Sequence, residues 1–356
     1  MLEREKVNVG RQPEFDIAKG LAILFMIICH CLIVAHFFNC DVSSFFEHTV
    51  NDILGGPTAA PVFMFCMGIG IVYSRRSTPD MMMKRGINLM LVGLFVNIGE
   101  FILPHFVSGF LLGDSSMFEI YGGLLLFYVD ILAFAGLAFI LIGLFKKFNL
   151  NYKQMLAIAL VMSLIGSVIR FVDFNNDVLN LIFGYFIGTT DAFTGMPLFN
   201  WFIYPVAGYA YGEYFIRAPD KSRFFRFWPL FILIPLAYFI LSMYPGEYLF
   251  SDETYYFFTF IDSLFTLLYI HGVLGLCYQL SKILPEICIK FFTLLSKYIN
   301  GIYVAQWYFI PLTFIFLCYL FKGIVFNDLS ITIISVFILV VSILAALGNK
   351  RIREIK

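Results

Sequence analysis

The chain has 356 residues, 60% of them apolar and only 13% charged, with 24 cations against 24 anions and a mean hydropathy of +0.86. That composition excludes an ordinary soluble domain and points to a polytopic helical membrane protein. Zero formal net charge provides no basic footprint for a nucleic acid.

Apolar windows long enough to cross roughly 30 Å of hydrocarbon predict about ten transmembrane helices, near 15–38, 58–74, 86–104, 124–145, 153–172, 196–216, 227–244, 257–281, 298–320 and 328–348. Segments 105–121 and 176–190 are also apolar and are read as re-entrant or interfacial pieces. The expected fold is therefore all-α, one transmembrane domain over residues 1–356 with short tails at 1–14 and 349–356. No small-residue cleavage site follows the first apolar run, so it is expected to be a retained helix and not a signal peptide.

The first helix carries Lys19 near its start and His30 eleven residues on. Eleven steps of 100° make three turns plus about 20°, so the two share a face about 16 Å apart. Such a stripe is costly in hydrocarbon unless it lines a protein-enclosed path, which makes it a candidate site. His48 falls in the following external loop, just before the second helix. Asn97 and Glu100 lie in the outer half of the third helix, Asp130 near the outer end of the fourth and Arg170 near that of the fifth. Trp201 and Tyr204 start the sixth helix, Asp262 sits at the outer end of the eighth, and His271 lies deeper. Several of these have plainer readings. Asp130 and Asp262 could be hydrated interfacial groups, Arg170 a partner of Asp173, His36 and His105 interfacial, and His271 a hydrogen-bonded core histidine. Gly68 and Gly70 are read as close-packing positions.

The polar connections alternate in sign. One set holds every Lys and Arg except Arg170 and Lys322; the other carries Asp41, Glu47, Asp52, Asp114, Glu119, Asp173, Asp177, Asp191, Glu247, Asp252, Glu253 and Asp328. By the positive-inside rule both termini are cytoplasmic. The basic inner rim suits an anionic ligand from the cytoplasm, and the polar outer half a ligand from outside. The seven cysteines lie mostly in apolar segments without zinc-like spacing, so no metal is expected.

Phe15-Asp-Ile-Ala-Lys-Gly-Leu-Ala-Ile-Leu-Phe-Met-Ile-Ile-Cys-His30 resembles the first helix of the membrane acyltransferase-3 superfamily, which has a basic residue, ten intervening residues and a histidine. His48 followed by Ala60-Pro-Val-Phe-Met-Phe-Cys-Met-Gly68 resembles the related heparan-α-glucosaminide N-acetyltransferase family, where a catalytic histidine in the first lumenal loop precedes a similar helix. That family has asparagine where this chain has His30. Lys84-Arg-Gly-Ile-Asn-Leu-Met-Leu-Val-Gly-Leu-Phe-Val-Asn97 and Val129-Asp-Ile-Leu-Ala-Phe-Ala-Gly136 are similar to its third and fourth helices. Phe199-Asn-Trp-Phe-Ile-Tyr-Pro-Val-Ala-Gly208 and Tyr298-Ile-Asn-Gly-Ile-Tyr303 are similar to later ones.

The resemblance implies transfer of an acetyl or other acyl group from cytoplasmic acyl-CoA to a hydroxyl or amine of an extracytoplasmic sugar or glycan, at a plasma (inner) membrane. Acetyl-CoA is then a co-substrate. Lys19, Arg75, Arg76, Arg85 and Arg223 at the inner mouth would meet its phosphates, and the pantetheine arm would run along the Lys19–His30 stripe. His48 or His30 would serve as general base, the other orienting the thioester or stabilising an oxyanion with help from Asn97. Asp130, Trp201, Tyr204 and Asp262 would hold the acceptor. Assembly into a homo-oligomer is left open. The competing classes are a proton-coupled transporter or glycan-precursor exporter and a non-enzymatic scaffold.

Overall fold

The computed structural model describes residues 5–118, 121–190, 194–242 and 255–355. Among them the regular elements are helices: α1 (Pro13–Ala35), α2 (Ser44–His48), α3 (Ala60–Tyr73), α4 (Pro79–Asn97), α5 (Leu103–Leu112), α6 (Ile131–Lys147), α7 (Tyr152–Val168), α8 (Asp177–Gly184), α9 (Leu198–Trp201), α10 (Ile203–Phe215), α11 (Lys221–Phe224), α12 (Trp228–Ser242), α13 (Phe260–Ile283), α14 (Glu286–Leu320) and α15 (Asp328–Ile355). A π-helical stretch, Thr49–Gly55, follows α2, and a second, Ile98–Ile102, joins α4 to α5.

Local chemistry explains the boundaries. Prolines open α1, α3 and α4, where the missing N–H costs nothing. Asn151 with Gln154 and Thr259 with Asp262 form capping boxes at α7 and α13.

Each of the ten windows contains helix, and seven stretches among the described residues are long and apolar enough to cross a membrane. They are Pro13–Ala35, Ser44–Tyr73, Pro79–Leu112, Lys221–Leu241, Phe260–Ile283, Glu286–Leu320 and Asp328–Gly348. The shortfall is one of length: α6 and α7 have 17 residues each and α10 has 13, at or below the usual limit for a span. The 105–121 segment is largely α5, which continues α4, and the 176–190 segment is the short helix α8.

Helix α1 is the spine, packed against α14, α13, α15 and α3. Small residues set the tightest crossings. A Cβ on Gly68 of α3 would run into the Pro205 carbonyl of α10, and one on Gly208 would run into the Phe65 carbonyl. Gly86 and Gly136 face each other across α4 and α6 in the same way. Gly70 does not pack: nothing lies within 4 Å of its would-be Cβ.

Basic and acidic connections gather at opposite ends of α1. At its start, Lys221 pairs with Glu14 at 2.6 Å, Lys146 donates to the Ser77 carbonyl, and Val7 and Asn8 dock on Ile216. Gln12, buried next to the first turn, also meets Lys221, so hydrogen bonds tie Val7, Asn8 and Gln12 to the bundle. At its far end, loop backbones pair at Cys40–Phe326, Val129–Thr194 and Val172–Thr189, and the Phe118 ring meets Phe37 edge-on and Phe38 at a tilt. Arg4 and Lys356 of the basic set, and Glu119, Asp191, Glu247, Asp252 and Glu253 of the acidic set, lie outside the described residues.

Candidate active site

At the start of α1 a cavity of about 1060 Å³ opens between α1, α3, α4 and α14. Lys19 and Arg85 line it, together with Ser74, Ser296, Lys297 and Asn300, and Gly70 forms part of its wall. Lys19 lies 3.5 Å from Asp16, whose carboxylate is also held by Arg11 and by the Ser296 hydroxyl at 2.6 Å. The Arg85 guanidinium lies 4.5 Å from the centre of the Phe139 ring. Arg75 and Arg76 follow Ser74 and are exposed, as is Arg223 on α11; none of the three lines the cavity.

Toward the other end of α1, His30 lines two cavities, of about 470 and 970 Å³, with Tyr256 and Tyr303 shared between them. The smaller extends under His36, Glu47, Asn51 and Gly55; the larger extends toward Glu100, Asp130, Thr189, Thr190 and Thr194. His30 Nδ1 meets Gln306 Nε2 at 3.1 Å. Its ring stacks on Trp307, with centroids 4.2 Å apart, and meets Tyr303 edge-on. Tyr303, Gln306 and Trp307 are spaced i, i+3, i+4, so one face of α14 surrounds the imidazole.

The compartments approach each other back to back. Leu132 and Val304 line the cavity on the Lys19 side, while their neighbours Ile131 and Tyr303 line those on the His30 side. The expected single channel is thus divided at the start of α6 and the middle of α14.

His48 ends α2, and its Nδ1 sits 2.8 Å from Asp52 Oδ2, one turn later. Its side chain is about half exposed, and its neighbour Glu47 reaches the smaller cavity, where it meets His36 Nε2 at 3.3 Å. The serine N-cap of α2, Ser43, is itself held by Asp328 at the start of α15, so a distant helix fixes this loop.

Asp130 is the N-cap of α6: Oδ1 accepts from the Leu132 and Ala133 amides, and Oδ2 faces the Tyr303 hydroxyl at 3.5 Å. It lines the larger cavity with Glu100, which sits in the π-helical stretch after α4. Asn97, fully buried, donates to the Leu126 and Tyr128 carbonyls and lines neither His30 cavity. Trp201 donates to the Tyr256 carbonyl, so it braces a cavity wall from behind. Tyr204 is buried beside Trp201. Asp262 caps α13 and accepts from Tyr238 at 2.7 Å. The structure therefore groups Lys19 with Arg85, and His30 with Asp130, but leaves Asn97, Trp201, Tyr204 and Asp262 in supporting positions. Lys297, Glu47, Tyr303, Gln306 and Trp307 are lining or supporting residues to which sequence reasoning gave no role, while Glu100 was noted only for its depth and His36 only as interfacial.

The family model described as heparan-alpha-glucosaminide N-acetyltransferase, catalytic, matches residues 11–244. The matched stretch includes Lys19, His30, His48, Arg85 and Asp130 and ends before Tyr303 and Gln306. No curated protein and no solved structure matches the chain.

Proposed function

Because the chain belongs to the heparan-α-glucosaminide N-acetyltransferase family, we propose that it moves an acetyl group from cytoplasmic acetyl-CoA to a hydroxyl or amine of a sugar or glycan on the opposite side of the membrane. In this reading both termini are cytoplasmic, α6, α7 and α10 also cross to give about ten passages, and the membrane is a plasma (inner) membrane. The single domain works in a lipid bilayer and needs no metal.

One observation carries the reading: a cation-lined cavity and a histidine-lined pair of cavities lie at the two ends of one stripe on α1. CoA phosphates need cations, and Lys19, Arg85 and Lys297 supply them, with Arg75, Arg76 and Arg223 outside the mouth for longer-range attraction. The pantetheine arm extends toward Leu132 and Val304, where a small displacement of that wall brings the thioester to His30.

His48 serves as the base. Its Nδ1 faces the Asp52 carboxylate, which can only accept a hydrogen bond, so the Nδ1–H tautomer is favoured and the proton taken up in the reaction goes to Nε2. The acceptor oxygen or nitrogen attacks the thioester carbon as its proton passes to His48. The C–S bond then breaks, and the proton returns to the CoA sulfur to leave a neutral thiol. His30 orients the acyl carbonyl and stabilises its developing charge. Asp130 and Glu100 offer hydrogen bonds to acceptor hydroxyls, while Trp201, Tyr204, Asp262 and Asn97 hold the frame around them.

The test is transfer from labelled acetyl-CoA to candidate sugars by purified protein in detergent, repeated with His30→Ala and His48→Ala. Loss of transfer in both supports the mechanism; full activity in both removes it. A transporter would instead move solute across liposomes with no release of CoA thiol.

A further inference from the structure

Gln306 is fully buried on α14, and no step above uses it. A carboxamide inside a membrane helix is costly, so its retention asks for a partner. That partner is His30: the Gln306 Nε2 amide group lies 3.1 Å from His30 Nδ1, while Oε1 has no hydrogen-bond partner among the described residues. A carboxamide nitrogen only donates, so Nδ1 must accept. A neutral imidazole with Nδ1 accepting carries its proton on Nε2. The stacked Trp307 and the edge of Tyr303 hold the ring plane.

The geometry points to Gln306 as a positioning residue that keeps His30 in the Nε2–H tautomer, so that His30 offers a donor to the acyl carbonyl and cannot act as the base. The inference rests on the reading that His30 faces the thioester. It sets the two histidines apart: His48 meets a group that only accepts, and His30 meets one that donates.

The experiment is nitrogen NMR on the full chain in nanodiscs with ¹⁵N-labelled histidine, the His30 signals being those lost in His30→Asn. Protonated and unprotonated ring nitrogens resonate far apart, so the tautomer is read directly, without any acceptor sugar. The wild type should show Nε2 protonated and Nδ1 bare; Gln306→Glu, which places an acceptor at Nδ1, should reverse them. A wild-type His30 protonated at Nδ1, or a Gln306→Glu protein with unchanged signals, overturns the inference. The wild-type spectrum decides even if Gln306→Glu does not fold.

With acetyl-CoA and glucosamine as the probe acceptor, Gln306→Glu should lower kcat on the order of 100-fold with KM for acetyl-CoA near its wild-type value. In a His30→Asn background, where no tautomer exists, the same change should cost little more. A full second loss there means that Gln306 acts through packing alone and contradicts the proposal. Absence of acetyl transfer by the wild type would sink the proposed function while leaving the tautomer measurement intact.

Discussion

Replacing Lys19 by alanine isolates the donor site from the fold. Asp16, the ion-pair partner of Lys19, is also held by Arg11 and by Ser296 at 2.6 Å, both closer than the 3.5 Å Lys19 contact. Removing the ammonium therefore leaves the carboxylate paired, and the melting temperature should scarcely change. What is lost is one charge-assisted contact to a CoA phosphate inside a partly enclosed cavity. Such a contact contributes about 1.5–3 kcal/mol, which at about 1.4 kcal/mol per tenfold is a Kd raised roughly 10- to 150-fold. Titration calorimetry with CoA and detergent-solubilised protein reads this directly. Lys19→Arg should retain most of the affinity, and the deficit of Lys19→Ala should shrink as salt screens the interaction. An unchanged Kd for Lys19→Ala, with a normal melting temperature, would refute the argument that this cavity receives the nucleotide.

His48→Ala should lower the transfer rate on the order of 10²- to 10⁴-fold at saturating acetyl-CoA, and Asp52→Asn should cause a smaller loss by releasing the tautomer; wild-type rates in both would exclude the pair from catalysis. Asp130→Ala removes both N-cap bonds of α6 and should cost about 1 kcal/mol of stability, seen as a lower Tm. Asp130→Asn keeps an accepting oxygen and should hold the Tm, so a raised acceptor KM in that variant reports contact with the sugar. Gly68→Leu should abolish the monodisperse peak on size-exclusion chromatography, because its Cβ meets the Pro205 backbone, which cannot yield. Gly70→Ala, with open space beside it, should elute normally; the reverse pattern would contradict the α3–α10 packing.

Much of the bundle was legible because hydrocarbon imposes length and apolarity on each helix, and those are one-dimensional properties. Signed connections were equally plain, and they do gather at opposite ends of α1. Lys19, His30 and Asp130 could be read because a polar group in an apolar run stands out, and Arg85 because it belongs to the basic set of connections. The α14 face was harder to see. Tyr303, Gln306 and Trp307 are ordinary in an aromatic-rich chain, and only their i, i+3, i+4 spacing hints at a shared surface. Asp262 and Asn97 were selected for polarity, yet their hydrogen bonds are local: a capping box in one case and two loop carbonyls in the other. Sequence spacing shows that Asp262 follows Thr259 by three residues, which is the cap signature, so this placement was available. The pairing of Asn97 with the backbone around Tyr128 depends on tertiary structure and was not. Gly70 and Gly68 lie two residues apart, but only the neighbouring helix decides which is packed and which faces a cavity.

The account stands most directly on where CoA sits. A cryo-electron microscopy map of the full chain in nanodiscs at saturating CoA should show the nucleotide against Lys19, Arg85 and Lys297, with the thiol end reaching toward His30 past Leu132. Nucleotide density on any other surface, or an empty cavity beside α1 at a concentration where calorimetry shows binding, would contradict it.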